Sequence, residues 1–349
     1  MKLDDIRRKL ALLDYRLVKI LDERLELFLQ AQRLDKKTPG EINETLSRAQ
    51  KFSAGFLSPD FWENFLNTFG QEAQELVEKH PRLIAFQGEH GAYSEMAARA
   101  WAPEAVPLPC AEFAEIFEAV ETGMFDLGIV PVENNTGGVL NQVNQLILNS
   151  SLHVVGAVEM HIHHCLLAHR ETDYREIHTV YSHTQALEQC RQFIARNRLH
   201  PVPYYDTAGA ARMLAEERPS AAAAIASRLA AELYDLQIIK ENIEDFPHNI
   251  TRFMVFAREP YEGKGQKCSV VFSTAHKAGT LFNALEVFAR NKVNLTRIES
   301  LPNLRGEFAF FLDFEGDLKE PRIQKALAEA QAITTDFRLL GCYNEIKVE

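Results

Sequence analysis

Four segments of this sequence share one design, and that repetition constrains the fold more than any other feature. In Phe246-Pro247-His248-Asn249-Ile250-Thr251-Arg252-Phe253-Met254-Val255-Phe256 a polar cluster, 249–252, adjoins an apolar strand-like run, 253–256. The others are Val130-Pro131-Val132-Glu133-Asn134-Asn135-Thr136-Gly137-Gly138, Tyr181-Ser182-His183-Thr184-Gln185 and Tyr205-Asp206-Thr207-Ala208-Gly209. Polar side chains at the mouth of a buried strand are where α/β folds hold ligands. Four such mouths imply one shared cleft. Taken singly, each is also an ordinary turn built from Asn, Asp, Ser and Gly.

Composition narrows the class. A chain of 349 residues has room for two or three domains. Hydrophobic residues at 46% and charged residues at 25% describe a soluble globular protein. A net charge of −11 argues against a nucleic-acid partner, which needs a basic face. It leaves room for a local basic site that takes a small anion. No stretch approaches the apolar length of a membrane helix. Met1-Lys2-Leu3-Asp4-Asp5 lacks the core of a signal peptide. Five scattered cysteines (Cys110, Cys165, Cys190, Cys268, Cys342), with no CxxC, fit a reducing cytoplasm and no zinc site. In His161-Ile162-His163-His164-Cys165, alternation puts His161, His163 and Cys165 on one strand face. No carboxylate or second ligand pair flanks them, so a structural role is preferred to a metal site.

Residues 1 to about 36 read as one long helix. Leu3, Ile6, Leu10, Leu13, Leu17, Ile20, Leu27, Ala31 and Leu34 are spaced by threes and fours, a coiled-coil-like seam. Arg24 occupies a seam position, which is costly unless the charge is paired. That points either to a bound anion or to a structural carboxylate partner. Pro39-Gly40 ends the helix. Helices over 41–52 and 59–79 follow, the second opened by Ser58-Pro59-Asp60. Three helices with so long a seam bury little alone, so a second copy is expected to pair with it.

Residues 1–80 resemble the all-helical chorismate mutase domain that opens bifunctional bacterial P-proteins. The resemblance implies that Arg7 and Arg24 hold substrate carboxylates. It departs where the family has a lysine eleven residues after the second arginine: Asp35 stands there, with Lys36 and Lys37 just beyond. Glu41 is the remnant of an acidic partner, and Gln74 lies near the place of a late glutamine. The mutase site is therefore expected to be degenerate, with a fully bifunctional enzyme as the alternative.

From Leu83 short apolar runs alternate with helical patterns: 83–86, helix 94–101, helix 111–122, 126–130 and helix 138–150. This is the βαβ rhythm of a mainly parallel sheet. Strand patterns near 153–158, 163–168, 178–181 and 222–226 form a second block, which returns at 249–256. Gly88-Glu89-His90-Gly91-Ala92-Tyr93-Ser94 lies between strand and helix; its glycines permit close approach to a ligand and Ser94 is a candidate cap.

Phe86 to Ala98, Val130 to Val139, Ser182-His183-Thr184-Gln185-Ala186-Leu187, Asp206-Thr207-Ala208-Gly209-Ala210-Ala211, Ala223-Ala224-Ile225-Ala226-Ser227 and Thr251-Arg252-Phe253 together resemble prephenate dehydratase. The resemblance implies residues 82–258 in two α/β lobes (82–157 with 243–258, and 158–242), arranged as in a periplasmic binding protein. It implies Thr251 as the principal catalytic residue, with Asn134, Ser182, Gln185 and Thr207 around the substrate. Ala92 stands where many relatives have threonine, leaving Tyr93 and Ser94.

Prephenate loses its ring carboxylate as CO2 and its 4-hydroxyl as water, giving phenylpyruvate. The enzyme must hold the dianion, assist departure of hydroxide and desolvate the carboxylate. The Thr251 hydroxyl is a neutral donor for the leaving oxygen if a network supports it. Asn134 and Gln185 orient without adding charge. Arg252 is assigned either to the pyruvyl carboxylate or to an interlobe salt bridge. Glu133 is the weaker acid candidate, since it needs a strongly raised pKa. The reaction calls for no metal or organic cofactor.

After the linker Glu262-Gly263-Lys264-Gly265, strands at 268–273, 295–300, 308–314 and 337–346 alternate with helices at 279–291 and 321–333. This is the βαββαβ order of a ferredoxin-like unit. With Gly279-Thr280-Leu281 and Asn294-Leu295-Thr296-Arg297-Ile298-Glu299-Ser300, residues 266–349 resemble an ACT domain. The resemblance implies phenylalanine bound between two such domains, contacting Gly279, Thr280, Leu281, Asn294, Leu295, Glu299 and Ser300. The family reads Glu-Ser-Arg-Pro; Leu301 replaces the arginine. The plain alternative is a dimerisation module. Rival readings of the whole chain are an arogenate dehydratase and a non-catalytic aromatic-acid sensor.

Overall fold

The computed structural model describes residues 3–34, 48, 51, 55–302 and 308–349. Helix α1 runs Leu3–Leu34 without a break. The predicted seam lies on its outer side: Leu10, Leu13, Leu17, Ile20 and Leu27 are each more than half exposed. A second face, unread in the sequence, packs on the rest of the chain. Phe28 and Leu29 are buried there, and Arg33 reaches Asp126 at 2.8 Å and the Pro81 carbonyl at 3.0 Å. Helix α2 (Pro59–Glu78) starts as expected, with Ser58 Oγ accepting from the Phe61 N–H at 3.1 Å and proline in the first turn. Apart from Arg48 and Lys51, the helix expected over 41–52 lies outside the described residues.

The first lobe holds β1 (Leu83–Gln87), α3 (Tyr93–Trp101), β2 (Val106–Cys110), α4 (Phe113–Thr122), β3 (Leu127–Asn134), β4 (Gly138–Val139), α5 (Asn141–Asn149) and β5 (His153–His161). The chain then crosses to β6 (Cys165–Ala168), β7 (Thr179–Ser182), α6 (Thr184–Gln189), α7 (Arg191–Arg196), β8 (His200–Pro203), α8 (Thr207–Glu217), β9 (Ala222–Ala226), α9 (Arg228–Leu233) and β10 (Gln237–Lys240). It returns to the first lobe as β11 (Ile250–Ala257), antiparallel to β3 and β5. The second lobe's strands lie in the order β10-β6-β9-β7-β8. Strands β2, β8 and β10 were not anticipated. All three are sheet edges, and β2 and β8 each carry two prolines, residues that edges tolerate and strand patterns discount.

The C-terminal elements appear in the expected βαββαβ order: β12 (Lys267–Thr274), α10 (Thr280–Arg290), β13 (Leu295–Pro302), β14 (Phe308–Glu315), α11 (Pro321–Ile333) and β15 (Thr335–Val348). Their sheet is not separate. One end of β15 pairs with β12 and the other runs parallel to β5, so the strands continue β13-β14-β12-β15-β5-β11-β3-β1-β2. Gly341 marks the crossing; a Cβ there would lie 2.0 Å from the Val154 carbonyl oxygen. Arg338 donates to the Ile147 and Ser150 carbonyls at the end of α5, and Phe311, Leu340 and Tyr343 share a buried cluster with Val132 and Val143. The fold is thus multidomain: N-terminal helices, two α/β lobes arranged as in periplasmic binding proteins, and an ACT-like C-terminal unit.

Candidate active site

The site begins with Asn134, at the end of β3 and directly opposite Thr251 on β11. Its Oδ1 accepts from the backbone N–H of Thr136 at 2.9 Å and of Gly137 at 2.7 Å. This Asx turn fixes which end of the amide is which. The nitrogen therefore points at β11, donating to Thr251 Oγ at 2.8 Å and Asn249 Oδ1 at 2.9 Å. Asn135 ties the same loop to β11, accepting from the Ile250 N–H at 2.9 Å.

A chain of donors leads into Asn134. Burial lowers His164, keeping its imidazole neutral, and holds the Tyr93 phenol protonated. The Tyr93 hydroxyl lies 2.8 Å from His164 Nδ1, and also 3.0 Å from the His163 carbonyl. With Nδ1 accepting, His164 Nε2–H donates to Gln189 Oε1 at 2.8 Å. Gln189 Nε2 donates to Thr136 Oγ at 2.7 Å, and the Thr136 hydroxyl donates to Asn134 Oδ1 at 2.6 Å. Since Thr251 Oγ accepts from Asn134, its own proton remains available to donate. Bonds aligned in one direction polarise one another. Tyr93 opens α3, His164 lies on the crossing segment and Gln189 ends α6, so the chain draws on both lobes and the hinge.

Asn249 and Thr136 lie in segments the sequence marked as cleft mouths, without a role of their own; His164 and Gln189 were missed. Gln189 was findable: it follows Gln185 by four residues, one helical turn on the same face. Gln185 itself does meet the loop, its Nε2 lying 2.0 Å from where a Gly137 Cβ would stand. Ser182 is fully buried and donates to the Ile225 carbonyl, tying β7 to β9. Thr207 is the first residue of α8, capped by Asp206, whose acid burial pushes up. Ser94 is no cap: it is buried in the first turn of α3, and Ala92 is the N-cap without a side-chain bond. His183 caps α6, accepting from Gln185 N–H at 3.3 Å.

Two assignments are corrected. Arg252 does not face the cleft. Adjacent strand residues point to opposite sides, and Arg252 is buried against the C-terminal sheet with Asp313, Glu345 at 2.6 Å and Tyr343 at 3.2 Å. Glu133, its cross-strand partner, faces the same way and pairs with Arg297 at 3.0 Å. Neither holds substrate from these positions.

On α1, Arg24 lies over the Phe69 ring of α2 at 5.0 Å, and its burial lowers its pKa. Arg7 lies on the same helix; Lys36 and Glu41 are outside the described residues. Gln74 Nε2 donates to Glu78 at 3.0 Å. In the C-terminal unit Gly279, Thr280 and Leu281 line a cavity of about 220 Å³ with His276, Phe308 and Phe310. Asn294, just before β13, and Leu295, Glu299 and Ser300 on it are not part of its wall.

Residues 84–261 match the family model of prephenate dehydratase. The chain belongs to the prephenate dehydratase family. It is 34% identical to the bifunctional chorismate mutase/prephenate dehydratase of Escherichia coli K12, over 97% of this chain and 95% of that one. It is 40% identical to the arogenate dehydratase/prephenate dehydratase 2, chloroplastic, of Arabidopsis thaliana, over 74% and 72% of the two chains. Among solved structures, prephenate dehydratase from Arthrobacter aurescens in complex with L-Phe superposes with a TM-score of 0.70 at 30% identity, over 75% of this chain and 89% of that one. GqqA, described as a novel type of quorum quenching acylase, also gives 0.70, at 35% identity, over 75% and 97%. As a prephenate dehydratase family member the chain is a lyase, of the prephenate/arogenate dehydratase class that serves phenylalanine biosynthesis. Among the described residues no helix is long and apolar enough to cross a membrane.

Proposed function

We propose that this chain converts prephenate to phenylpyruvate, with Thr251 giving its proton to the departing hydroxyl. The observation that carries this is the Asn134 bond to Thr251 Oγ, with Asn134 itself locked by an Asx turn. As Thr251 releases its proton, negative charge develops on Oγ, where an Asn134 N–H is already aimed. Donors fixed before the reaction stabilise such charge without reorganisation. As the C–O bond breaks, hydroxide takes that proton and leaves as water, while the C–CO2 bond electrons enter the ring and CO2 departs. Reprotonation of Thr251 from water closes the cycle. The neutral amides of Asn134, Gln185 and Gln189 suit a reaction in which one carboxylate must leave: a fixed cation beside it would resist decarboxylation.

The amine of arogenate differs from prephenate only at the pyruvyl carbon, away from this chemistry, so arogenate is the second substrate to test. We further propose phenylalanine as an effector at Gly279, Thr280 and Leu281, with Asn294, Leu295, Glu299 and Ser300 supplied by a second copy. In support, the β13 residues stay outside the wall of the cavity that Gly279, Thr280 and Leu281 line, and β13 is a sheet edge open to a second copy. The exposed seam of α1 supports the same homodimer. The mutase-like helices are read as having lost most activity toward chorismate, because Lys36 is one residue out of register, about 100° around a helix. A cytoplasmic location accords with this pathway step. Purified protein given prephenate, arogenate and chorismate separately tests these readings. CO2 release from prephenate that is absent in Thr251→Val supports the first; binding without CO2 release would make the chain a sensor and overturn it.

A further inference from the structure

The two residues at the end of the hydrogen-bond chain each have a neighbour turned the other way. On β3 and β11, Asn134 and Thr251 form one cross-strand pair and Glu133 and Arg252 the next. Both neighbours are gripped by charges from the C-terminal sheet. Arg252, 7% exposed, bonds to Asp313, which has no exposed surface, and to Glu345. Asp313 also accepts from Ser269 Oγ, which lies 2.6 Å from the Tyr343 hydroxyl. Burial pushes the Glu345 acid up, but Arg252 and Lys267 outweigh it and hold it below the usual carboxylate range. Arg297, 4% exposed, pairs with Glu133 at 3.0 Å and lies over the Phe311 ring at 4.6 Å. The register of β11 on β3 slips just after Arg252, a bulge of the kind that re-aims side chains next to a site, while the same residues stay in register with β5.

We propose that the pairs Asp313–Arg252 and Arg297–Glu133 position Thr251 and Asn134 for dehydration, making turnover depend on how the C-terminal sheet is seated. This rests on reading Thr251 as the proton donor. A strand cannot shift one side chain without shifting the next, and the β-sheet alternation sets active site and anchor back to back. Loss of one charge would leave Arg252 or Arg297 buried and short of a partner, which drives local rearrangement. Because the anchors lie on β13 and β14, any ligand or partner that reseats those strands would reach Thr251 through them.

The test uses the full-length chain with Asp313→Asn, which keeps shape and removes charge, and with Glu133→Gln, whose pair is less buried and which serves if the first variant does not fold. Steady-state kinetics with prephenate are read alongside hydrogen exchange over 127–134 and 250–257. The expected result is kcat lower by roughly 10- to 100-fold, the scale of a small misplacement of a reacting group, with KM within about threefold and faster exchange in those two strands. A fastening without positioning role would loosen exchange and leave kcat per folded site unchanged; that result overturns the proposal, as does unchanged exchange. If the wild-type chain releases no CO2 from prephenate, the functional reading has failed instead. Exchange alone then judges the positioning: faster exchange in the two strands supports it and unchanged exchange refutes it.

Discussion

Replacing Thr251 by valine removes one hydroxyl and keeps the branched shape. Thr251 is 9% exposed, so the added methyl meets little solvent. The Asn134 amide loses one acceptor but retains Asn249 Oδ1 at 2.9 Å and the Ile250 carbonyl at 3.2 Å. A net hydrogen bond contributes about 1 kcal/mol, which in a chain of this size moves Tm by about 2 °C. Turnover is a different matter. Loss of a single proton donor lowers rates by roughly two to four orders of magnitude, or about 3–5 kcal/mol on the barrier. Thr251→Val is therefore expected to melt almost like the wild type, bind prephenate with similar KM, and turn over at least a hundredfold more slowly. Thr251→Ser restores the hydroxyl and is expected to recover most of the loss. Phenylpyruvate formation in stopped assays, with calorimetric melting as control, measures both. The reasoning is refuted if valine turns over within about threefold of wild type, or if serine is no better than valine.

Tyr93→Phe removes the first donor of the chain into Asn134 while the ring stays packed on His164; kcat is expected to fall by roughly threefold to tenfold, with KM little changed, in the same assay. His90 bonds to Glu26 on α1 at 2.9 Å and to Glu95 on α3, which also holds Arg99; burial opposes its charge, but the two acids outweigh it and raise it from 6.5 to about 9. A raised pKa gives stability that is whole below 6.5 and is lost as pH climbs through 9; the gap corresponds to about 3 kcal/mol. Urea unfolding at pH 7 and pH 10 is expected to show that loss in the wild type and not in His90→Gln; parallel behaviour of the two disproves it. Gly341→Ala is expected to destabilise the fold by several kcal/mol, as in other overpacked sites, and to unseat β15 from β5, visible as faster exchange over 344–348. Purified protein is expected to consume little chorismate; turnover at ordinary enzymatic rates, abolished by Arg24→Ala, would show that the register argument failed.

Local signals were the most legible. The bounds of α11, Pro321–Ile333, coincide with the sequence reading because proline fixes its first turn and β-branched residues from Ile333 to Thr335 favour extension. Ser58-Pro59 fixed the start of α2 in the same way. The hidden strands β2 and β8 failed for a matching reason: proline signals argue against strands, and only sheet order reveals an edge. The meeting of Asn134 and Thr251 was foreshadowed, since both lie in segments read as polar strand mouths and the family resemblance singled them out. Arg252 was left open between a substrate carboxylate and an interlobe salt bridge, although period-2 alternation already set it opposite Thr251; it forms a salt bridge, but to the C-terminal sheet. What alternation could not supply was the partner: Asp313 and Glu345 lie 61 and 93 residues away. The same holds for α1, whose seam was plain and whose docking face was not, since Leu29 gains meaning only against the first lobe.

The connections of the sheets decide which parts move together. The C-terminal sheet is bonded to β5 through β15, β5 pairs along β11, and β11 pairs with β3. Displacing the C-terminal unit from the first lobe would break backbone pairing and uncover the Arg252–Asp313 charges, so these two travel as one body. The second lobe has no strand in that sheet and joins it through the crossings at 162–164 and 241–249. Across that boundary Phe86, Ala97 and Met160 share one buried cluster with Ala208, Ala226, Ala230 and Tyr234, so the second lobe is packed on the first as well as tethered to it. Helix α1 spans the same boundary: Arg33 holds Asp126 on the first lobe, while Lys19 lies 5.7 Å over the Tyr234 ring and Arg16 reaches the Glu216 carbonyl on the second. Contacts along α1 from Arg16 to Arg33 thus brace the two lobes against each other, while its first turns stay exposed.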